Sequence, residues 1–257
     1  MAITTEQVKE LRDKTGISVM QCKKALEEAG GDMEKALLIL KKKSTEIAAK
    51  KADRALGAGT IVSAINANKG VILALGCETD FVAKNADFVA VAQTLANMTL
   101  EKGVDATKEA SADLTASAVQ KLGEHVMLGE VSLVEAPVLG AYVHDGRVAA
   151  LVGLTGGTVE LAKDIAMHTS AMNPEYITRD EIPEDAKNAT RAMFEEEVKN
   201  SGKPADIQEK MLAGKLDTFF KERTLLDQPF IKNPDVTIGA LLKSGNATIV
   251  KVARLAV

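Results

Sequence analysis

The sequence contains no tryptophan, only two tyrosines and six phenylalanines, so aromatics make up 3% of its 257 residues. Its core must therefore be filled by Val, Leu, Ile, Ala and Met, a palette suited to helix–helix and helix–sheet packing. Cysteine is equally scarce. Cys22 and Cys77 are the only two, too few and too far apart for a disulfide framework or a zinc knuckle. Long apolar runs are missing as well, which argues against a membrane-spanning helix. The start, Met1-Ala2-Ile3-Thr4-Thr5-Glu6, is too polar for an export signal. Both thiols are therefore expected to be reduced, in a cytoplasmic protein with no membrane partner.

A strong excess of one charge is also lacking. The net charge is −4; the first 55 residues carry 12 Lys/Arg against 9 Asp/Glu, and the rest carry 20 against 27. Neither part has the basic excess of a direct nucleic-acid surface. The three histidines, His125, His144 and His168, have no metal-ligand partner at helical spacing, so no metal or cofactor is expected. Gly156-Gly157-Thr158 lacks the lysine and spacing of a phosphate-cradling loop and reads as a turn. No serine sits in a nucleophile-elbow motif. An enzyme is thus the weaker reading; it would have to pair Asp80 with His144 or His168.

What is present is a clear order of elements. Thr4 with Gln7, and Ser18 with Gln21, have capping-box spacing. Gly16 and Gly30-Gly31 stop the helices that follow them. Asp32 caps a third helix carrying Ala36, Leu37 and Leu40. The first 40 residues therefore read as a three-helix bundle, and the Lys- and Ala-rich stretch 41–56 as a polar helical extension or linker. A hairpin follows, with strands Thr60–Ile65 and Val71–Leu75 around Asn68-Lys69-Gly70. Next come a helix through Phe88, Val91, Ala92 and Leu95 and another predicted over 112–126. Leu139–Val143 and Val148–Leu154 flank Asp145-Gly146, a tight-turn dipeptide, and a helix through Leu161, Ile165 and His168 follows. The same hairpin-then-helix order has now occurred twice. Pro183 opens a charged helical stretch, Ser201–Pro204 breaks it, and Ile207 to Leu216 resumes it; two helices with so short a connection run antiparallel. Ala247–Ala256 reads as a last strand. The expected fold class is α+β: an N-terminal bundle with linker (1–55), two α+β core subdomains with antiparallel sheets (56–138 and 139–257), and a helical hairpin inserted at about 183–224. The polarity of that hairpin suits either solvent or self-association.

One segment stands out. Cys77-Glu78-Thr79-Asp80-Phe81-Val82-Ala83-Lys84-Asn85 lies between a strand and a helix. Read plainly it is a capped loop, with Thr79 or Asp80 as cap and Phe81 folded back into the core. Read more sharply, an acidic group beside a large ring at an element junction can enter a partner's pocket.

The run Cys77 to Val82 resembles the signature of the elongation factor Ts family. So do Leu11–Gly16, Met20–Leu26, Ile165–His168, Asn173–Tyr176 and Leu226–Phe230, in family order along nearly the whole chain. The resemblance implies a bundle like ubiquitin-associated domains, two core subdomains and a helical hairpin. It implies a guanine-nucleotide exchange factor that binds elongation factor Tu in its GDP-bound and nucleotide-free forms, displaces its Mg²⁺ and promotes GDP release, without covalent chemistry. It assigns the partner-binding and Mg²⁺-dislocating role to Thr79, Asp80, Phe81 and Val82, and further contacts to Met20, Lys23, Leu122, Gly123 and His144. Two departures bear on it. Ala74-Leu75-Gly76 stands where the family usually has Glu-x-Asn, and many members continue into a terminal helix beyond the last strand. The competing reading of the first 40 residues is a ubiquitin-associated-type protein-binding module.

Overall fold

The computed structural model describes residues 3–257. It divides into two compact units. The first comprises the chain to Leu133 together with Val143–Ala149 and Leu255–Val257; the second comprises Val134–Tyr142 and Ala150–Arg254.

The first unit opens with three helices, α1 (Thr5–Thr15), α2 (Val19–Glu28) and α3 (Met33–Lys51). Thr4 forms the full reciprocal capping box with Gln7, and Ser18 and Asp32 cap α2 and α3 from their side chains. Gly16 ends α1 in the left-handed region, where a Cβ would be strained. Leu11, Cys22, Ala25, Leu26, Ala36 and Leu40 form the bundle's own core. The expected linker is largely helical: α3 continues to Lys51, because Lys and Ala are strong helix formers. Its far half packs along the later helix Val104–Leu122, with Lys41 paired to Asp113 at 2.7 Å and Ser44 bonded to Gln120.

Strands β1 (Ala58–Asn66) and β2 (Lys69–Cys77) form an antiparallel hairpin in register Asn66↔Lys69. The turn is two residues, Ala67-Asn68, with Ala67 at φ 46. It sits earlier than the predicted Asn68-Lys69-Gly70, since Lys69 and Gly70 already belong to the ladder. Then come α4 (Asp80–Ala83), α5 (Ala86–Lys102), α6 (Val104–Leu122) and β3 (Val126–Glu135), which completes a sheet of order β1-β2-β3. Here the sequence reading needs correction. The helix expected over 112–126 is α6, which starts earlier and stops at Leu122, and β3 was not anticipated. Val71, Leu73, Leu75 and Cys77 alternate along β2 into one core with Phe88, Ala92 and Leu95 of α5 and Ala118 and Val119 of α6.

The second unit repeats the plan. Strand β4 (Val138–His144) and strand β5 (Val148–Thr155) flank a turn in which Asp145 and Gly146 both have positive φ, as a primed two-residue hairpin turn requires. Helix α7 (Val159–Met172) follows, capped by Thr158. The hairpin is α8 (Glu184–Lys199) and α9 (Ala205–Arg223), held by an edge-to-face Phe194–Phe219 contact and a Lys215–Glu197 ion pair at 2.8 Å. Strands β6 (Pro229–Phe230) and β7 (Asn233–Thr237) and helix α10 (Ile238–Ser244) were also unanticipated, being short. Strand β8 (Thr248–Ala256) then joins β5, giving the order β4-β5-β8. In each sheet, then, a hairpin gains a later strand beside its second strand. Ala150, Val152 and Leu154 pack with Ala162, Ile165 and Ala166 of α7.

Gly140 lets α7 approach β4. A Cβ there would collide with the backbone of Ala162 and Lys163. Gly140→Ala is expected to cost about 3 kcal/mol, the upper range for overpacking, read as a lower urea midpoint with an unchanged slope.

Candidate functional site

The segment 78–84 follows β2 directly and is built as a single helical turn. Thr79 is the N-cap of α4, its hydroxyl oxygen accepting from the Val82 amide at 3.4 Å. Lys84 N–H donates to the Asp80 carbonyl and Asn85 N–H to the Val82 carbonyl, and Asn85 then caps α5. One turn cannot bury all its residues, and the sequence decides which go inward. Ala83 is buried and Val82 packs on the first unit's core. Asp80 and Phe81 point out, and Phe81 is 84% exposed. The plain expectation of a ring folded into the core is thereby corrected: the phenylalanine in that core is Phe88, which is fully buried.

The turn is anchored by residues far away in sequence. The Glu124 carboxylate accepts from three donors: Glu78 N–H at 3.1 Å, Thr79 N–H at 3.0 Å and the Thr79 hydroxyl at 2.6 Å. The tie is reciprocal, because the Glu78 carboxylate accepts the His125 N–H at 2.6 Å. Arg54 adds its guanidinium to Glu78 at 3.2 Å, and the Arg54 carbonyl lies 2.8 Å from His125 Nδ1. A carbonyl can only accept, so Nδ1 carries the proton. Glu124 and Arg54 carry no role in the sequence reading, and His125 enters it only as a rejected metal ligand. No local signal marks them, since their partners lie in other elements.

Charge here is finely placed. The His125 amide is the main cause that holds the Glu78 carboxyl below its ordinary 4.5; partial burial opposes it and Arg54 adds to it. Cys77 Sγ–H donates to the Thr79 carbonyl at 3.2 Å. Burial first, and the nearby Glu124 carboxylate second, push that thiol up to about 11.

The lead-in Ala74-Leu75-Gly76 is accounted for by space. Leu75 enters the helix-facing core, Ala74 lies against Gly129 of β3, and a Cβ on Gly76 would meet Leu56 at 2.9 Å. Small residues at 74 and 76 suit what packs on them.

The other sequence-selected residues fall in two groups. Leu122 and Gly123 immediately precede Glu124. Gly123 ends α6 at φ 80, and its carbonyl accepts from Lys51. His144 is exposed at the end of β4. The turn beside it docks on β1 through Ile61 N–H to the Gly146 carbonyl at 2.6 Å. Asp80, Thr79, Lys84, Asp145 and Arg147 line one cleft of about 380 Å³, so α4 and this hairpin tip are neighbours. Met20 and Lys23 lie on α2, where Met20 is 68% exposed and Lys23 faces Glu27 at 3.8 Å. His168 serves the core instead. Its Nε2 bonds Gln228 Oε1 at 2.9 Å and its Nδ1 accepts Ile231 N–H at 3.2 Å, so both nitrogens are used. Among the described residues no group of His, Cys, Asp and Glu is arranged to hold a metal ion, and no helix is long and apolar enough to cross a membrane. Gly156 and Gly157 form a turn before the Thr158 cap, as read from the sequence.

A family model described as elongation factor TS matches residues 78–257. The elongation factor Ts of Teredinibacter turnerae is 40% identical over an alignment covering 100% of this chain and 91% of that protein. That of Alcanivorax borkumensis is 41% identical, covering 97% and 92%, and that of Aeromonas salmonicida 41%, covering 99% and 90%.

Two outcomes follow from the charges. A group held below its ordinary value stabilises the fold above that value and loses its contribution as pH falls through the lower one. The Glu78 carboxyl carbon should therefore titrate below 4.5 by NMR. Arg54→Gln should raise that midpoint only in part, since the His125 amide is the larger cause. Cys77 should resist iodoacetamide at about pH 8 in the folded protein and react on unfolding, because only the thiolate is nucleophilic.

Proposed function

The chain belongs to the elongation factor Ts family, and on that premise we propose that Asp80 and Phe81 form the wedge by which it releases GDP from elongation factor Tu. Members of the family are nucleotide-exchange factors rather than enzymes, and the translation role of this chain follows from its membership. The finer mechanism is our reading. The wedge enters beside the nucleotide site of the partner's GTPase domain, in both its GDP-bound and nucleotide-free forms, and disturbs the surroundings of the bound Mg²⁺. Such an ion is often the largest local charge in a phosphate site, so displacing it weakens the hold on the nucleotide.

The observation that carries this reading is Phe81, 84% exposed on a turn tied down by Glu124. A large ring held outward in one orientation, with an acidic side chain beside it, has the form of an anchor for a partner's pocket. Burying it supplies about 1.5–3 kcal/mol, and at about 1.4 kcal/mol per tenfold the ring alone shifts nucleotide affinity roughly 10- to 100-fold. Factor and nucleotide weaken each other reciprocally, so a larger effect needs a wider interface. We assign Thr79 and Val82 to the wedge, and Leu122, Gly123, His144 and Met20 to that wider surface. Lys23, a solvated lysine paired within its own helix, contributes least.

Stopped-flow release of fluorescent GDP from elongation factor Tu tests the wedge. The Asp80→Ala/Phe81→Ala variant should slow release by roughly 10- to 100-fold, with thermal stability nearly unchanged because both side chains are exposed. A wild-type rate would refute the insertion.

A further inference from the structure

The wedge is four residues long, and a helical turn of that length has no stability of its own in water. Something must hold it in one orientation before the partner arrives. Its own cap is weak in geometry, Val82 N–H to Thr79 Oγ1 being 3.4 Å. The stronger bonds come from across the sheet end. Thr79 Oγ1–H donates to Glu124 at 2.6 Å, which leaves the hydroxyl's lone pairs to face the Val82 amide. The other Glu124 oxygen takes both preceding backbone donors, Glu78 N–H and Thr79 N–H. One carboxylate therefore fixes the backbone entering the turn, the rotamer of its cap and, through that cap, the amide that follows Phe81.

We propose that Glu124 is a positioning residue for nucleotide exchange, acting on the partner only through the orientation it gives Asp80 and Phe81. The inference rests on the wedge reading above and assigns Glu124 no contact of its own. Its effect is preorganisation: the turn arrives ordered, so less binding free energy is lost in fixing it. This role sets a ceiling, since removing Glu124 cannot cost more than removing the wedge. It also sets a pattern. Two changes acting through one element are not additive, whereas a general loss of fold acts alike in every background.

The test is a cycle in the full chain with stopped-flow release of fluorescent GDP from elongation factor Tu. Glu124→Ala should slow release by about three- to tenfold, the size of losing a few exposed hydrogen bonds. In the Asp80→Ala/Phe81→Ala background the same substitution should change the rate by less than about twofold. Glu124→Gln should restore most of the rate, because its amide oxygen still accepts the two backbone N–H groups. Thr79→Val removes the hydroxyl link to Glu124 together with the cap on the Val82 amide, and leaves the two backbone bonds to Glu124 in place. Its partial loss should likewise vanish in the double-variant background, and this keeps the test open if Glu124→Ala unfolds. An equal slowing by Glu124→Ala in both backgrounds would overturn the positioning role, as would a wild-type rate for Glu124→Ala beside a slow double variant. A wild-type rate for the double variant itself would instead overturn the wedge, and this inference with it.

Discussion

The exchange of bonds between residues 78–79 and 124–125 is the constraint on which the site depends. Each carboxylate of the pair accepts a backbone donor from the other's segment, Glu124 from Glu78 and Thr79, and Glu78 from His125. Strand β2 ends at Cys77 and β3 begins at Val126, so the exchange extends the sheet's edge by side chains where the ladder stops. Strand ends normally leave backbone groups to water. Here they are committed, and the turn that follows inherits a fixed starting direction. Arg54 brings the end of the α3 region onto the same point, and Lys51 holds the carbonyl of Gly123. The N-terminal bundle is thus joined to the base of the turn within the first unit.

This arrangement resolves an apparent conflict between charge and exposure. Glu78, Asp80 and Glu124 put three carboxylates around one short turn. Two are absorbed by N–H donors and Arg54, leaving Asp80 as the acid displayed beside the ring. Phe81 is one of only six phenylalanines, and it is the most exposed large hydrophobic residue among those described. Phe88, seven residues on, is fully buried. The difference lies in the helical turn: positions 82 and 83 take the inward face, so 80 and 81 must face out.

Much of the architecture was legible because it is written in local chemistry. The caps Thr4, Ser18 and Asp32, the glycine stops and the Asp145-Gly146 turn each act within a few residues, and each appears where its spacing puts it. The strand β3 was not legible. Its residues 126–135 mix buried Val126 and Val134 with exposed Met127, Gly129 and Glu130, so its alternation is too irregular to separate from the end of the preceding helix. The short β6, β7 and α10 failed for a related reason: elements of two to seven residues are stabilised by tertiary neighbours rather than by pattern.

The residues from Cys77 to Val82 mark the candidate site by kind, since an acid beside a ring at a strand-to-helix junction is a property of the sequence itself. The sequence also determined the helical caps, the two hairpins and the absence of a phosphate loop, because each depends on residues close together in the chain. Only the tertiary structure decided that Phe81 faces out while Phe88 fills the core, and that Glu124, His125 and Arg54 support the turn. The supporting bonds join groups separated by 24 to 71 positions in the chain. Their meeting is set by the pairing of β2 with β3 and the packing of the helices around them, and no local pattern of residues encodes it.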